Sequence, residues 1–233
     1  MPASLIRTLA DLRGKRIVCD FAHLQALGEA ALAAEDIASA DVTWVPWRGS
    51  STEAKRMVGP LEGGEADAIF LIDWNLGDFA AEGLALRRLS ALFLDRIRAS
   101  SCYWVTEDEL AARSEVLARA ARALGNSVAF GFADPEATVR LMWERHRETR
   151  PAPSERARVT HRDLATLKAV LEPMRVAPED PDPRLGAIDQ AALGDWRYYL
   201  VNAGTIRRSF DVGAAFTAAY IDDFNRFDGT TFG

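Results

Sequence analysis

Three apolar segments of the sequence end on side chains that could bind a metal ion or take part in phosphoryl chemistry. These terminal residues are Asp20, Asp73 and Thr106. Short apolar runs are typical of buried parallel strands, and ligands in open α/β sheets bind beyond the carboxyl ends of the strands. If the three strands are neighbours, the three side chains converge at one sheet edge. Each of them could instead cap the helix that follows.

The alternation of apolar runs with helical patterns predicts an α/β fold with a doubly wound, five-stranded parallel sheet. We predict strands at 15–20, 42–47, 67–73, 101–106 and 127–132. We predict helices at about 22–35, 51–61, 82–98, 109–124 and 135–148. Gly125-Asn126 would end the fourth of these helices.

A proline-containing segment at 150–154 predicts a boundary between an α/β domain at 14–149 and a helical C-terminal extension at 155–233. The extension is rich in aromatic residues, so we expect it to pack against the first domain or a second subunit. Its predicted helices lie at about 160–172, 187–202 and 211–226.

The composition is that of a globular protein, with 48% hydrophobic and 27% charged residues. A net charge of −6 argues against a surface that binds nucleic acid. No apolar stretch approaches the roughly 20 residues of a membrane-spanning helix, and the first residues do not read as a signal peptide. We therefore expect a cytoplasmic protein that contacts neither nucleic acid nor membrane.

Four motifs, in this order along the predicted β/α units, resemble the receiver domain of bacterial response regulators, which has the CheY-like fold. The resemblance covers about residues 14–149. Val18-Cys19-Asp20 is similar to the acidic-pair motif after strand one, and Asp73-Trp74-Asn75 is similar to the phosphoacceptor motif. Glu82-Gly83-Leu84 is similar to the start of helix three, and Val105-Thr106 is similar to the hydroxyl motif of strand four.

This resemblance implies roles for four residues in two-component signalling. Asp73 would be the phosphoacceptor aspartate and Thr106 the switch hydroxyl. Asp20, Asp73 and the main-chain carbonyl of Asn75 would hold Mg²⁺, which neutralises charge while a phosphoryl group moves.

Two departures from the receiver pattern indicate a degenerate domain, or pseudo-receiver. Cys19 stands where the first acid of the pair is expected, so Mg²⁺ would bind weakly. The lysine that pairs with the phosphoryl group is missing, since no lysine occurs between Lys55 and Lys168, and Asp134 lies near its expected place. We expect a signalling module that acts through protein–protein contacts, by dimerisation or partner binding, with a histidine kinase as one candidate partner.

The alternative is a metal-dependent phosphohydrolase or nuclease that uses the strand-end carboxylates. A non-enzymatic role is favoured, because no lysine or histidine is predicted near these acids to stabilise transition-state charge. The carboxylates of that alternative are Asp20, Asp73, Asp78, Glu107 and Asp108.

Overall fold

A small parallel sheet organises the first part of the chain. The computed structural model describes residues 4–19, 22–47, 54–72, 74–81, 83–84, 86–91, 94, 103–175, 182, 184–202 and 204–227. Among these residues, the sheet has three strands in the order β2-β1-β3, so β1 is central. The strands are β1 (Arg16–Cys19), β2 (Thr43–Pro46) and β3 (Ala68–Phe70).

The central strand is apolar and buried, as expected for a strand covered on both faces. Val18 is only 2% exposed and pairs in register with Val45 on one side and Ile69 on the other. Ile17 and Cys19 are also buried. The β-branched side chains therefore anchor β1 within the core.

Ten α-helices surround or follow the sheet in the described residues. They are α1 (Ala22–Ala33), α2 (Ala54–Glu62), α3 (Asn75–Ala81), α4 (Glu107–Ala112), α5 (Ser114–Ala133), α6 (Pro135–Arg145), α7 (Arg156–Leu171), α8 (Gln190–Asn202), α9 (Val212–Ala215) and α10 (Ile221–Phe224). Short 3-10 helices lie at Leu9–Leu12, Ser39–Asp41, Arg147–Thr149 and Glu172–Met174. In the part of the chain described, no helix is both long and apolar enough to cross a membrane.

The C-terminal helices pack on the earlier ones. α7 lies along α3, α10 lies along α5, and α8 contacts α1. Ala30 and Ala31 of α1 form a buried cluster with Trp196 and Leu200 of α8. The division into domains at 14–149 and 155–233 stays a prediction, but these contacts tie both parts of the chain together.

The expected five-stranded, CheY-like sheet is wrong. The segment predicted as the fifth strand, 127–132, lies inside α5, a helix of 20 residues. Gly125 does not end a helix, because it lies within α5 and faces the main chain of Phe224. A Cβ at position 125 would overlap the Phe224 carbonyl oxygen. Glycine is therefore present because α10 approaches closely, and the helix continues through it.

Three other predicted elements also differ from the structure. Residues 103–106 of the predicted fourth strand belong to no strand, and residues 101–102 lie outside the described part. The described residues 86–91 of the predicted helix 82–98 are not helical. The predicted helix 211–226 is divided into α9 and α10.

Candidate functional site

The carboxyl ends of the three strands meet at one edge of the sheet. Cys19 pairs in register with Pro46 on one side and with Phe70 on the other. Trp47, just past β2, donates its main-chain N–H to the Cys19 carbonyl at 2.9 Å. The last residues of β1, β2 and β3 therefore lie side by side, at the edge where ligands bind in open α/β sheets.

The two aspartates that were expected to form a magnesium site lie outside the described residues. Asp20 directly follows β1, and Asp73 comes three residues after β3. Among the described residues, no group of three or more His, Cys, Asp and Glu side chains could hold a metal ion. Weak Mg²⁺ binding by these carboxylates stays a prediction.

Asn75, the third expected magnesium ligand, begins α3 and is only 3% exposed. Its main-chain N–H donates to the Ile72 carbonyl at 3.1 Å, which closes the turn between β3 and α3. Asn75 is therefore part of the structure that connects the strand end to the helix.

Thr106 is the N-cap of α4, and α4 packs on α5. The Thr106 hydroxyl oxygen accepts a hydrogen bond from the Glu109 main-chain N–H at 3.1 Å. Glu107 and Asp108 lie in the exposed first turn of α4. Negative charge there stabilises the helix, because the N-terminus carries the positive end of the helix dipole. The sequence Thr-Glu-Asp-Glu is itself a capping pattern, so this arrangement could have been recognised from sequence.

Trp74 is the exposed aromatic residue at the sheet edge. It lies between β3 and α3 and is 49% exposed. The next residue but one, Leu76, is also exposed. A half-exposed indole at the carboxyl end of a parallel strand can contact a planar or apolar ligand. Sequence reasoning did not single out Trp74 as an exposed residue of this edge, although its position after an apolar run is evident from the sequence.

A hydrophobic cluster lies beneath this edge and supports α3. Phe79 of α3 and Val58 of α2 are buried against each other. Trp47, Leu71 and Leu84 pack against this pair. The helix that carries the residues after Trp74 is thus fixed from below by side chains that follow β2 and β3.

The opposite, amino end of the sheet is fixed by charge. The Arg16 guanidinium donates to both carboxylate oxygens of Asp67, at 3.1 and 3.2 Å. These hydrogen bonds, with one from the Arg16 main-chain N–H, hold the pKa of Asp67 below its ordinary value. The ion pair thereby anchors β1 to the start of β3 at the end remote from Trp74.

Comparison with protein families decides what kind of protein this is. The family described as NMT1/THI5 like matches residues 2–138, which include the whole sheet and helices α1–α5. The chain belongs to the NMT1/THI5-like family. This is a family of substrate-binding proteins. No curated protein matches the chain.

This family assignment corrects the interpretation drawn from the strand-end acids. The NMT1/THI5-like chain is not a response-regulator receiver, degenerate or otherwise, and the signalling function inferred from that resemblance is wrong. The alternative phosphohydrolase or nuclease is not supported either. Acids that follow apolar strands occur in many parallel sheets, because such positions also cap the next helix.

Proposed function

We propose that this NMT1/THI5-like chain binds a small organic molecule at the carboxyl edge of its sheet. The observation that carries the proposal is the family match over residues 2–138, since the matched segment contains all three described strands and Trp74. The family suggests a substrate-binding role, with a thiamine precursor as one example of a ligand.

The exposed indole of Trp74 favours a ligand with a planar ring. Aromatic rings stack on one another with a gain of about 0.5–1.5 kcal/mol beyond the burial of their area. An aminopyrimidine of the kind that serves as a thiamine precursor has such a ring. It is therefore the first ligand that we would test.

Isothermal titration calorimetry of the full chain tests the proposal with three compounds. The probes are thiamine, its aminopyrimidine precursor, and an aliphatic amine that lacks a ring. We expect saturable binding of a ring compound and none of the aliphatic amine. Trp74→Ala should weaken binding about tenfold, which corresponds to about 1.4 kcal/mol.

A second tryptophan provides the matched control. Trp104 is 90% exposed and precedes α4, so Trp104→Ala removes the same side chain from a different surface. We expect Trp104→Ala to bind as tightly as the unaltered chain. Equal weakening by both substitutions, or no binding of either ring compound, would contradict the proposed site.

A further inference from the structure

Helices α3 and α7 approach one another at Gly77 more closely than any side chain at that position would permit. A Cβ at Gly77 would overlap the Thr166 hydroxyl oxygen and would lie 2.7 Å from the Thr166 Cα. Since two of the atoms that it would meet are main-chain atoms of α7, a rotamer change could not relieve the overlap. The start of α3 is therefore set against the main chain of α7.

The same threonine contacts the main chain of Trp74. The Thr166 Oγ1 donates a long hydrogen bond, 3.5 Å, to the Trp74 carbonyl oxygen. That carbonyl also accepts from the Gly77 main-chain N–H at 3.4 Å. The peptide unit that follows Trp74 is thus held both from within α3 and from α7.

An ion-pair chain adds a second tie between the same two helices. Arg162 of α7 lies between Asp78 of α3, at 3.9 Å, and Asp163 of α7, at 2.7 Å. The other carboxylate oxygen of Asp163 accepts from Trp143 Nε1 at 2.9 Å. Because Trp143 is buried on α6, this series of side-chain contacts joins α3 to the α6–α7 pair.

We propose that Thr166 is a positioning residue for Trp74, so that ligand affinity at the sheet edge depends on α7. The inference rests on the proposed function, because that proposal assigns Trp74 to the ligand. α7 begins at Arg156, beyond the segment 2–138 that matches the family. A helix outside the matched segment would thereby orient a side chain inside it.

The physical reason is the sensitivity of ring contacts to small rotations. A group that binds a ligand must be held within about 0.5 Å and 10–20° of its productive geometry by the residues around it. Trp74 is 49% exposed, so protein atoms cover only about half of its surface. The Trp74 carbonyl, which Thr166 and Gly77 hold, restrains the main chain and thereby the direction from which the side chain leaves it.

The first experiment needs no ligand. The full chain has six tryptophans, and labelling with 5-fluorotryptophan gives each a ¹⁹F resonance, with that of Trp74 assigned from Trp74→Phe. Thr166→Val removes the hydroxyl and nearly keeps the shape, whereas Thr166→Ser keeps the hydroxyl. Thr160→Val is the matched control, because the Thr160 hydroxyl donates to the Arg156 carbonyl of its own helix, at 2.7 Å.

We expect Thr166→Val to shift or broaden the Trp74 resonance, and Thr166→Ser to restore it. Thr160→Val should leave the resonance unchanged. An unchanged Trp74 resonance in Thr166→Val, or the same change in Thr160→Val, would overturn the positioning role. A general loss of stability would alter all six resonances and would overturn it as well.

The second experiment measures affinity for the aminopyrimidine precursor of thiamine. As a single substitution, Thr166→Val should raise the Kd about five- to tenfold. Added to Trp74→Ala, it should have no further effect on the Kd, because Thr166 acts through the Trp74 side chain. Additive losses would contradict the proposal. If the unaltered chain binds no probe, the proposed function fails, and the ¹⁹F resonances still decide whether Thr166 positions Trp74.

Discussion

Arg16 and Asp67 form a bidentate ion pair between the amino ends of β1 and β3. The guanidinium reaches both carboxylate oxygens, and the Arg16 main-chain N–H adds a third hydrogen bond to Asp67 at 2.9 Å. The Asp67 main-chain N–H donates in return to the Arg16 carbonyl at 2.8 Å. This arrangement fixes the register of β3 on β1 and makes that register sensitive to acid.

Asp67→Asn should make stability less dependent on pH. The hydrogen bonds from Arg16 lower the pKa of Asp67 in the folded chain, so its stabilising contribution is complete above the ordinary value of about 3.9 and is lost as the pH falls below it. We expect Asp67→Asn to lower the Tm by roughly 2–4 °C at pH 7. This difference should shrink between pH 4 and pH 2.

Thermal unfolding followed by circular dichroism measures this effect across the pH range. Glu148→Gln is the control, because Glu148 is a strongly exposed carboxylate in the middle of a short 3-10 helix, and its contact with the likewise exposed His146 is 3.5 Å long. Its Tm should follow that of the unaltered chain at every pH. A constant gap between Asp67→Asn and the unaltered chain would show that the charge of Asp67 is not what stabilises the pair.

Gly77→Ala should destabilise the chain because α7 leaves no room for a methyl group. We expect the free energy of unfolding to fall by about 1–3 kcal/mol, as is typical of an overpacked contact. Gly194→Ala is the matched helical control, since a Cβ there would meet no atom of the described residues within 4 Å, apart from its own helix and chain neighbours. It should stabilise the chain by about 0.5–1 kcal/mol. Urea unfolding of both variants measures whether each substitution lowers or raises the free energy of unfolding. Destabilisation by both would contradict the argument from the α3–α7 contact.

Thr106→Ala should loosen α4 without affecting ligand binding, because Thr106 caps that helix. Loss of an N-cap threonine costs about 1 kcal/mol, so the amides of Glu107–Ala112 should exchange hydrogen several-fold faster. Thr106→Ser, which retains the capping oxygen, should exchange at nearly the original rate. Equal exchange in all three chains would show that the cap contributes nothing to α4.

The three described strands could be predicted from the sequence to within a few residues. Each is a short apolar run, and in β1 the residues Ile17 and Val18 strongly favour a buried strand. The signal is local, so it needs no knowledge of the rest of the chain. Helices such as α6, which begins with Asp134 as N-cap and Pro135 at its first position, were equally clear.

The misplaced fifth strand shows where local signals fail. Residues 127–132 are mostly apolar, and a short apolar run does not by itself separate a strand from a helix segment. The sequence around Gly125 predicts the end of a helix. In the structure a glycine is needed there because the carbonyl of Phe224, nearly a hundred residues away, leaves no room for a side chain. A contact of that kind becomes visible only when the chain is folded.

The sequence predicted the sheet edge at which the candidate site lies, whereas the roles assigned to Asp20, Asp73 and Thr106 stay predictions. The convergence of the ends of β1 and β3 followed correctly from a parallel sheet. The acids suggested a phosphoacceptor and a magnesium site, whereas the large aromatic side chain that is exposed among the described residues of this edge is Trp74. Its surroundings depend on Thr166, which is 92 residues further along the chain and has no sequence pattern that links it to β3.

The central position of β1 has a consequence for synthesis on the ribosome. β1 is made first, but its partners Thr43 and Ala68 follow 27 and 51 residues after Arg16 and Ile17, respectively. At roughly 5–20 residues per second, about 3–10 s pass before both neighbours have been translated. During that interval the most buried of the three described strands has two unpaired edges. Early contacts of the nascent chain with chaperones should therefore concentrate on residues 16–19.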